Sequence, residues 1–178
     1  MLYGSSSFRL WKDVGRRFPE HRIVNHGFGG SQLSDLNHFF DRLVVPAAPK
    51  LLLIYGGDND IASGKSPRQV LEDFQELVRQ AKRKLPGIRI AFLAIKPSPS
   101  RAAMLGSQTE ANRLVERFAR RQRRVDYLDV ASPLMNHEGN PDPAYFIQDR
   151  LHLNADGYDR WVEVLRPYLL RHGLRMGR

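Results

Sequence analysis

The alternation of five apolar stretches with amphipathic segments predicts an α/β protein of three layers, α/β/α. The clearest stretch is residues 51–55, where five apolar or aromatic residues follow one another without alternation. A strand that is apolar on both faces is typical of a parallel sheet covered by helices. Two glycines and then Asp58, Asn59 and Asp60 follow, at the strand end where open α/β sheets bind ligands. We therefore expect a five-stranded parallel sheet in the flavodoxin-like order 2-1-3-4-5.

The first half of the chain supplies the first two strands and two helices. Residues 1–3 are an apolar stub, shorter than the usual strand of about five residues, so the first strand is predicted to be truncated. Residues 8–18 predict a helix, residues 22–25 a second strand, and residues 31–45 a helix capped by one of the serines at its start. The apolar residues predicted to face the core are Phe8, Trp11, Val14 and Phe18 in one helix and Leu33, Leu36, Phe40 and Leu43 in the other.

The second half repeats the alternation and contains no internal repeat. The elements predicted there are a helix at residues 66–85, a strand at 88–95, a helix at 106–122, a strand at 125–130 and a helix capped by Asn154 or Asp156. Ser66 followed by proline is typical of a helix start. The two prolines in residues 96–100 predict a loop, because proline cannot donate a ladder hydrogen bond. At 178 residues, the chain is predicted to form one domain.

Composition excludes several classes of function. The chain has no cysteine, so disulfides, thiol catalysis and thiolate metal sites are excluded. No apolar run approaches 18 residues, so we expect no transmembrane segment. No secretory signal is visible, which favours the cytoplasm for the chain as given; a signal upstream of the truncated strand would place it outside. No two histidines have the spacing of helical zinc ligands, and we predict no metal and no cofactor. The histidines are His21, His26, His38, His137, His152 and His172.

The chain is strongly basic, with 28 Lys and Arg against 19 Asp and Glu and a net charge of +9. Such a surface could attract nucleic acid. The arginines in question are Arg113, Arg117, Arg120, Arg121, Arg123 and Arg124. Cations near a helix C-terminus also complement the helix dipole, so a solvated surface is the favoured interpretation. A basic, non-catalytic nucleic-acid-binding module remains the alternative from another class.

Chemically useful groups follow four of the predicted elements at the same edge of the sheet. The first strand is followed by Ser5, Ser6 and Ser7, the second by Gly29 and Gly30, and the third by Asn59, while Asp149 and His152 precede the last helix. Together they are the parts of serine acyl transfer: a hydroxyl, an imidazole to remove its proton, a carboxylate to orient the imidazole, and donors for the oxyanion. Each alone has a plainer reading, such as a helix cap, a turn or a surface pair. Their common edge is what indicates a catalytic site.

Two other motifs are incomplete. Gly64, Lys65 and Ser66 would suit a phosphate-binding loop, but Asn59 stands where that loop needs its first glycine. The nucleophile elbow of α/β-hydrolases needs a glycine two residues after its serine, where this chain has Phe8. We therefore set aside both a phosphate-binding loop and an α/β-hydrolase.

The blocks at residues 4–7, 25–30, 57–60 and 149–153 resemble those of the SGNH hydrolases, also called the GDSL esterase/lipase family. The resemblance implies a serine esterase acting on a small-molecule ester. It implies Ser6 as the nucleophile, His152 as the base and Asp149 as its orienting acid. It also implies an oxyanion hole made by the side chain of Asn59 and by the amides of Gly30 and Ser6.

Two details refine this resemblance. The family usually has aspartate directly before the nucleophile, where this chain has Ser5. Because that aspartate is not the acid of the triad, we expect activity to survive its absence. The Gly-Ser-Ser form and the residues Arg9, Leu10 and Trp11 are similar to the branch of platelet-activating-factor acetylhydrolase. That similarity implies short acyl groups; a thioesterase or lysophospholipase of the same fold is the alternative, and the oligomeric state is left open.

Overall fold

A parallel five-stranded sheet forms the centre of the protein, in the order β2-β1-β3-β4-β5. The computed structural model describes residues 1–173. The strands are β1 Leu2–Gly4, β2 Asn25–Gly27, β3 Leu51–Tyr55, β4 Arg89–Leu93 and β5 Val125–Leu128. β1 lies between β2 and β3, with Leu2 opposite both Asn25 and Leu53. The predicted sheet and strand order are confirmed.

Helices cover both faces of the sheet, which confirms the three-layer prediction. They are α1 Ser6–Arg9, α2 Val14–Arg17, α3 Leu33–Leu43, α4 Asp58–Ala62, α5 Pro67–Lys84, α6 Leu105–Ala119 and α7 Ala155–His172. One core lies under α3, α5 and α6, and the other lies under α1, α2 and α7. β3 supplies Leu52 and Ile54 to the first core and Leu53 and Tyr55 to the second, as a strand without alternation predicts.

The prediction of one continuous helix over residues 8–18 is wrong. The structure has two four-residue helices, α1 and α2, with the turn around Trp11 between them. All four residues predicted to face inward in this stretch are nevertheless buried. Trp11 stacks on Tyr158 of α7 with ring centroids 4.9 Å apart, and Phe18 packs against its edge. Aromatic packing against the last helix therefore takes precedence over helical continuity.

Several boundaries also differ from the prediction. The second strand begins at Asn25 instead of spanning residues 22–25, because pairing with β1 fixes its register there. α3 is capped at Gln32 and not at Ser31 or Ser34. The backbone amide of Gln32 donates to Asp35 Oδ2 (2.9 Å). β4, β5 and α6 are each shorter than predicted, and α4 was not predicted at all. Ser66 and Asn154 do cap α5 and α7.

Gly27 allows β2 to approach α1 closely. A Cβ at Gly27 would lie 2.4 Å from the Arg9 amide nitrogen and 2.8 Å from the Phe8 carbonyl carbon. Gly27→Ala is therefore expected to push α1 outward and to destabilise the fold by about 1–3 kcal/mol. Gly15→Ala is the matched control, since no heavy atom lies within 4 Å of a Cβ there. Thermal unfolding checks both variants; an equally stable Gly27→Ala protein would contradict the close approach.

Candidate active site

The structure brings Ser6, His152 and Asp149 together. His152 Nε2 lies 3.0 Å from Ser6 Oγ, and His152 Nδ1 lies 2.6 Å from Asp149 Oδ2. Both ring nitrogens of His152 are therefore engaged, one by a hydroxyl and the other by a carboxylate. The three groups come from the two ends of the chain, as the position of their motifs at one sheet edge predicts.

A tight turn presents Asp149 and His152. Asp149 Oδ1 accepts hydrogen bonds from the amides of Leu151 and His152, both at 2.9 Å. Arg150 has a φ of 58°, in the left-handed region that is uncommon for residues other than glycine. The amide of Ile147 donates to the His152 carbonyl (2.9 Å) and closes the turn. This backbone geometry orients the carboxylate toward the imidazole.

The same bonds hold Asp149 in its ionised form. Desolvation raises the pKa of this carboxyl, but the His152 ring and the amides of His152 and Leu151 outweigh it and lower the pKa from 3.8 to about 2. A carboxylate accepts hydrogen bonds only, so Nδ1 of His152 carries the proton. Nε2 then faces Ser6 with a free lone pair.

The pKa of Asp149 is a testable quantity. A carboxyl whose pKa is lower in the folded state stabilises the fold above its unfolded pKa, and this contribution is lost as pH falls toward about 2. Removing the imidazole with His152→Ala removes one lowering cause, so the pKa is expected to rise toward 3.8. Carbon NMR titration of the Asp149 carboxyl between about pH 3 and 5 checks this. If the Asp149 carboxyl were protonated to the same extent in wild type and in His152→Ala at the lowest pH of the titration, the expectation would be contradicted.

Ser6 is the first residue of α1, and only Ser5 separates it from the end of β1. Its amide lies in the first turn of a helix, where N–H groups lack an intrahelical acceptor. The Ser5 amide donates to the Tyr55 carbonyl of β3 (3.0 Å), and the Tyr158 hydroxyl donates to the Ser7 carbonyl (2.9 Å). The backbone on both sides of Ser6 is therefore anchored.

The two other predicted oxyanion donors lie in the turn between β2 and α3 and in α4. Gly30 has a φ of 74°, the left-handed conformation that glycine adopts readily, in the turn between β2 and α3. Asn59 lies in α4, and its Nδ2 donates to the carbonyl of Ser31 (3.1 Å), the residue after Gly30. This hydrogen bond ties the loop after β2 to α4 and leaves Asn59 a second N–H to donate.

A buried ionic cluster lies around the site, and it includes Lys96 and Arg101, which sequence reasoning missed. Asp58 is 5% exposed and Lys96 is 1% exposed. Arg101 Nη1 lies 2.7 Å from Asp58 Oδ1, and Lys96 Nζ donates to the carbonyl of Leu151 (2.7 Å). Burial lowers the pKa of Lys96, and the nearby Asp58 opposes that shift. Asp58 had already been noted after β3 in the sequence, and for Lys96 the signal was a lysine shortly after the buried strand β4.

Lys65, the lysine of the incomplete phosphate-loop motif, is held by two carboxylates. Its Nζ lies 3.0 Å from Asp60 Oδ1 and 2.7 Å from Asp73 Oδ2, so the ammonium is already paired with carboxylates. Asp60 in turn accepts from the amides of Leu33 and Gly57. Lys65 and Asp60 therefore fasten α3 and α4 together beneath the site.

Within residues 1–173, no group of three or more His, Asp or Glu side chains could hold a metal ion. His26, which lies beside the second motif block, contacts the Leu43 carbonyl through Nδ1 (2.9 Å), as expected for local packing. In the same described part of the chain, no helix is long and apolar enough to cross a membrane.

Comparison with known proteins places the chain in a family. The model of the GDSL-like lipase/acylhydrolase family matches residues 2–160, and the chain belongs to that family. A search of the curated proteins finds no match. Ester hydrolysis is the general activity that this membership supports.

Solved structures share the fold at low sequence identity. One, from Streptococcus pneumonia and provisionally described as a platelet activating factor, has a TM-score of 0.84 at 22% identity, covering 94% of this chain and 82% of its own. A GDSL-like lipase from Bacteroides thetaiotaomicron has a TM-score of 0.80 at 17% identity, with coverages of 96% and 86%. A catalytic mutant of an acetylxylan esterase from Geobacillus stearothermophilus has a TM-score of 0.74 at 16% identity, with coverages of 99% and 96%.

Proposed function

We propose that this protein is a serine esterase that hydrolyses carboxylic esters of short acyl groups through an acyl-enzyme. One observation carries the proposal: Ser6 Oγ lies 3.0 Å from His152 Nε2, while His152 Nδ1 lies 2.6 Å from Asp149. A hydroxyl becomes a competent nucleophile when a neighbouring base takes its proton, and a base oriented by a carboxylate is suited to that task.

In the first step, Ser6 Oγ attacks the carbonyl carbon of the ester and transfers its proton to His152 Nε2. Asp149 stabilises the resulting imidazolium and remains ionised, in keeping with its lowered pKa. The carbonyl oxygen becomes an oxyanion, which accepts hydrogen bonds from the Asn59 side chain and the amides of Gly30 and Ser6. The tetrahedral intermediate then collapses, and the leaving alcohol takes the proton from His152.

In the second step, water attacks the acyl group on Ser6 and gives a proton to the same imidazole nitrogen. The second tetrahedral intermediate uses the same three donors. Its collapse releases the carboxylic acid and returns the proton to Ser6 Oγ, which restores the starting state. Apart from the ester and water, the two steps use only groups of the chain, since His152 serves as base and acid in turn.

The choice of a short acyl group rests on two supports. The motif around Ser6 is similar to the platelet-activating-factor acetylhydrolase branch, and the structural neighbours include an acetyl esterase and an acetylxylan esterase. A thioesterase or lysophospholipase would use the same chemistry on a different leaving group or a longer chain. A panel of p-nitrophenyl esters from acetate to palmitate, with acetyl-thiocholine and a lysophospholipid alongside, distinguishes these substrates.

The basic binding module is less favoured because some of its arginines are already engaged by groups of the chain itself. Arg113 pairs with Glu110 and Arg120 pairs with Glu116, while Arg124 donates to the carbonyl of Gly87. Turnover of a short ester, without salt-sensitive binding to single-stranded DNA, supports the enzyme. Absence of turnover on the whole panel, with binding to single-stranded DNA that weakens steeply with salt, would favour the module.

A further inference from the structure

A buried ionic cluster lies beneath the site and has no part in the chemistry just described. Asp58 contacts Arg101 Nη1 at 2.7 Å and accepts from Gln108 Nε2 at 3.0 Å. Both of these contacts are made to Asp58 Oδ1, and Lys96 Nζ lies 3.7 Å from Asp58 Oδ2. The Arg101 contact has the distance of an ion pair without the alignment of a hydrogen bond. Buried charges are costly to desolvate, so their geometry is expected to be well defined only where each is paired.

Arg101 extends this cluster to the side chain of Asn59. Its Nη2 donates to Asn59 Oδ1 (3.1 Å), while Asn59 Nδ2 donates to the Ser31 carbonyl (3.1 Å). A guanidinium has donors only, and a carbonyl oxygen only accepts. If the Asn59 amide flipped, its NH2 group would face Arg101 and its oxygen would face the Ser31 carbonyl. Both contacts would be repulsive, so one orientation is selected.

We propose that Arg101 is a positioning residue for Asn59, fixing its amide so that the second N–H of Nδ2 is offered to the oxyanion, and that Asp58 holds Arg101 for this purpose. This inference rests on the proposed function, since it presupposes the oxyanion role of Asn59. The hydrogen bond from a cation to Oδ1 also polarises the amide and strengthens its N–H as a donor.

The cluster also connects the oxyanion side of the site with the turn that carries His152. Lys96, beside Asp58, donates to the carbonyl of Leu151, directly before His152. The amide of Ser100 donates to the carbonyl of Arg150 (3.0 Å), so the loop bearing Arg101 is itself bonded to that turn. His152 and Asn59 are thereby connected through one set of hydrogen bonds and ion pairs, which fixes their relative positions.

A double-mutant cycle on Arg101 and Asn59 tests the inference. Arg101→Met, Asn59→Ala and the double variant are compared with wild type by kcat and KM for p-nitrophenyl acetate. Because loss of one oxyanion donor costs about a hundredfold to a thousandfold, Arg101→Met is expected to lower kcat by about tenfold to a hundredfold with KM little changed. In the Asn59→Ala background, the same substitution is expected to change kcat by less than about threefold, since the residue it positions is gone.

Two further variants separate positioning from folding. Arg101→Lys keeps a cation beside Asp58 but lacks the planar fork that reaches two groups, so it is expected to fold and to show the same loss in kcat. Arg79→Met, an exposed arginine of α5 paired with Glu76, removes a positive charge elsewhere and is expected to match wild type.

The outcomes distinguish this inference from the proposed function. Wild-type kcat in Arg101→Met or in Arg101→Lys would overturn the inference, and so would an equal loss in both backgrounds of the cycle. If Ser6→Ala abolishes turnover in that same assay, the esterase proposal stands even though the inference has failed. If the wild-type protein hydrolyses none of the esters in the panel, both fail together.

Discussion

Ser6→Ala is expected to lower kcat for p-nitrophenyl acetate by about 10⁴-fold or more, because the remaining oxyanion donors and His152 have no nucleophile to assist. Asp149 and the backbone bonds that orient His152 do not involve Ser6, so the variant is expected to fold and to bind substrate. The measurement is the steady-state rate, with KM and thermal unfolding alongside.

The adjacent serine provides a matched control. Ser7→Ala leaves in place the main-chain carbonyl that accepts from the Tyr158 hydroxyl, so it is expected to retain most of the activity. The comparison isolates the one hydroxyl of the Ser5–Ser7 triplet that faces His152. Retention of activity by Ser6→Ala, or a comparable loss in Ser7→Ala with the fold intact, would contradict the assignment of the nucleophile.

His152→Ala is expected to cost about as much as Ser6→Ala, in the range of 10⁴-fold or more, because both steps of the reaction pass a proton through this ring. Groups that act as a unit do not have additive effects, so the double variant Ser6→Ala/His152→Ala is expected to be no slower than either single variant. Steady-state rates of the three variants measure this directly.

His38→Ala serves as the control for His152. His38 is an exposed residue of α3 whose ring contacts Phe39, and its loss is expected to leave the rate unchanged. A multiplicative effect in the double variant would indicate that Ser6 and His152 act independently, against the pairing that the structure shows.

The sheet is predictable because its strands carry their own signal. Residues 51–55 are apolar throughout, and a strand of that composition requires cover on both faces whatever the distant contacts are. The cap at Ser66 is similarly local. By contrast, the break between α1 and α2 around Trp11 depends on stacking against Tyr158 of α7. The hydrophobic periodicity of residues 8–18 gives no information about that long-range contact. Burial was correctly predicted there, while helical continuity was not.

The same distinction applies to the candidate site. Ser6, Asn59, Asp149 and His152 could be selected because each follows a strand or lies in a motif block, and the sheet gathers those positions at one edge. Arg101 could not be selected in this way, since its partner Asn59 lies 42 residues away in the sequence. Its backbone lies in a 3-10 segment, residues 99–104, which extends beyond the loop that the prolines predicted over residues 96–100. Long-range pairing of charges becomes visible only in three dimensions.

The most direct test of a nucleophilic Ser6 is covalent capture. The protein is incubated with a fluorophosphonate ester, which reacts with serines activated by a neighbouring base, and the modified peptide is located by mass spectrometry. One adduct is expected, on Ser6, and it is expected to form far more slowly in His152→Ala. An active protein that acquires no adduct, or acquires it at another residue while Ser6 stays unmodified, would contradict a nucleophilic Ser6.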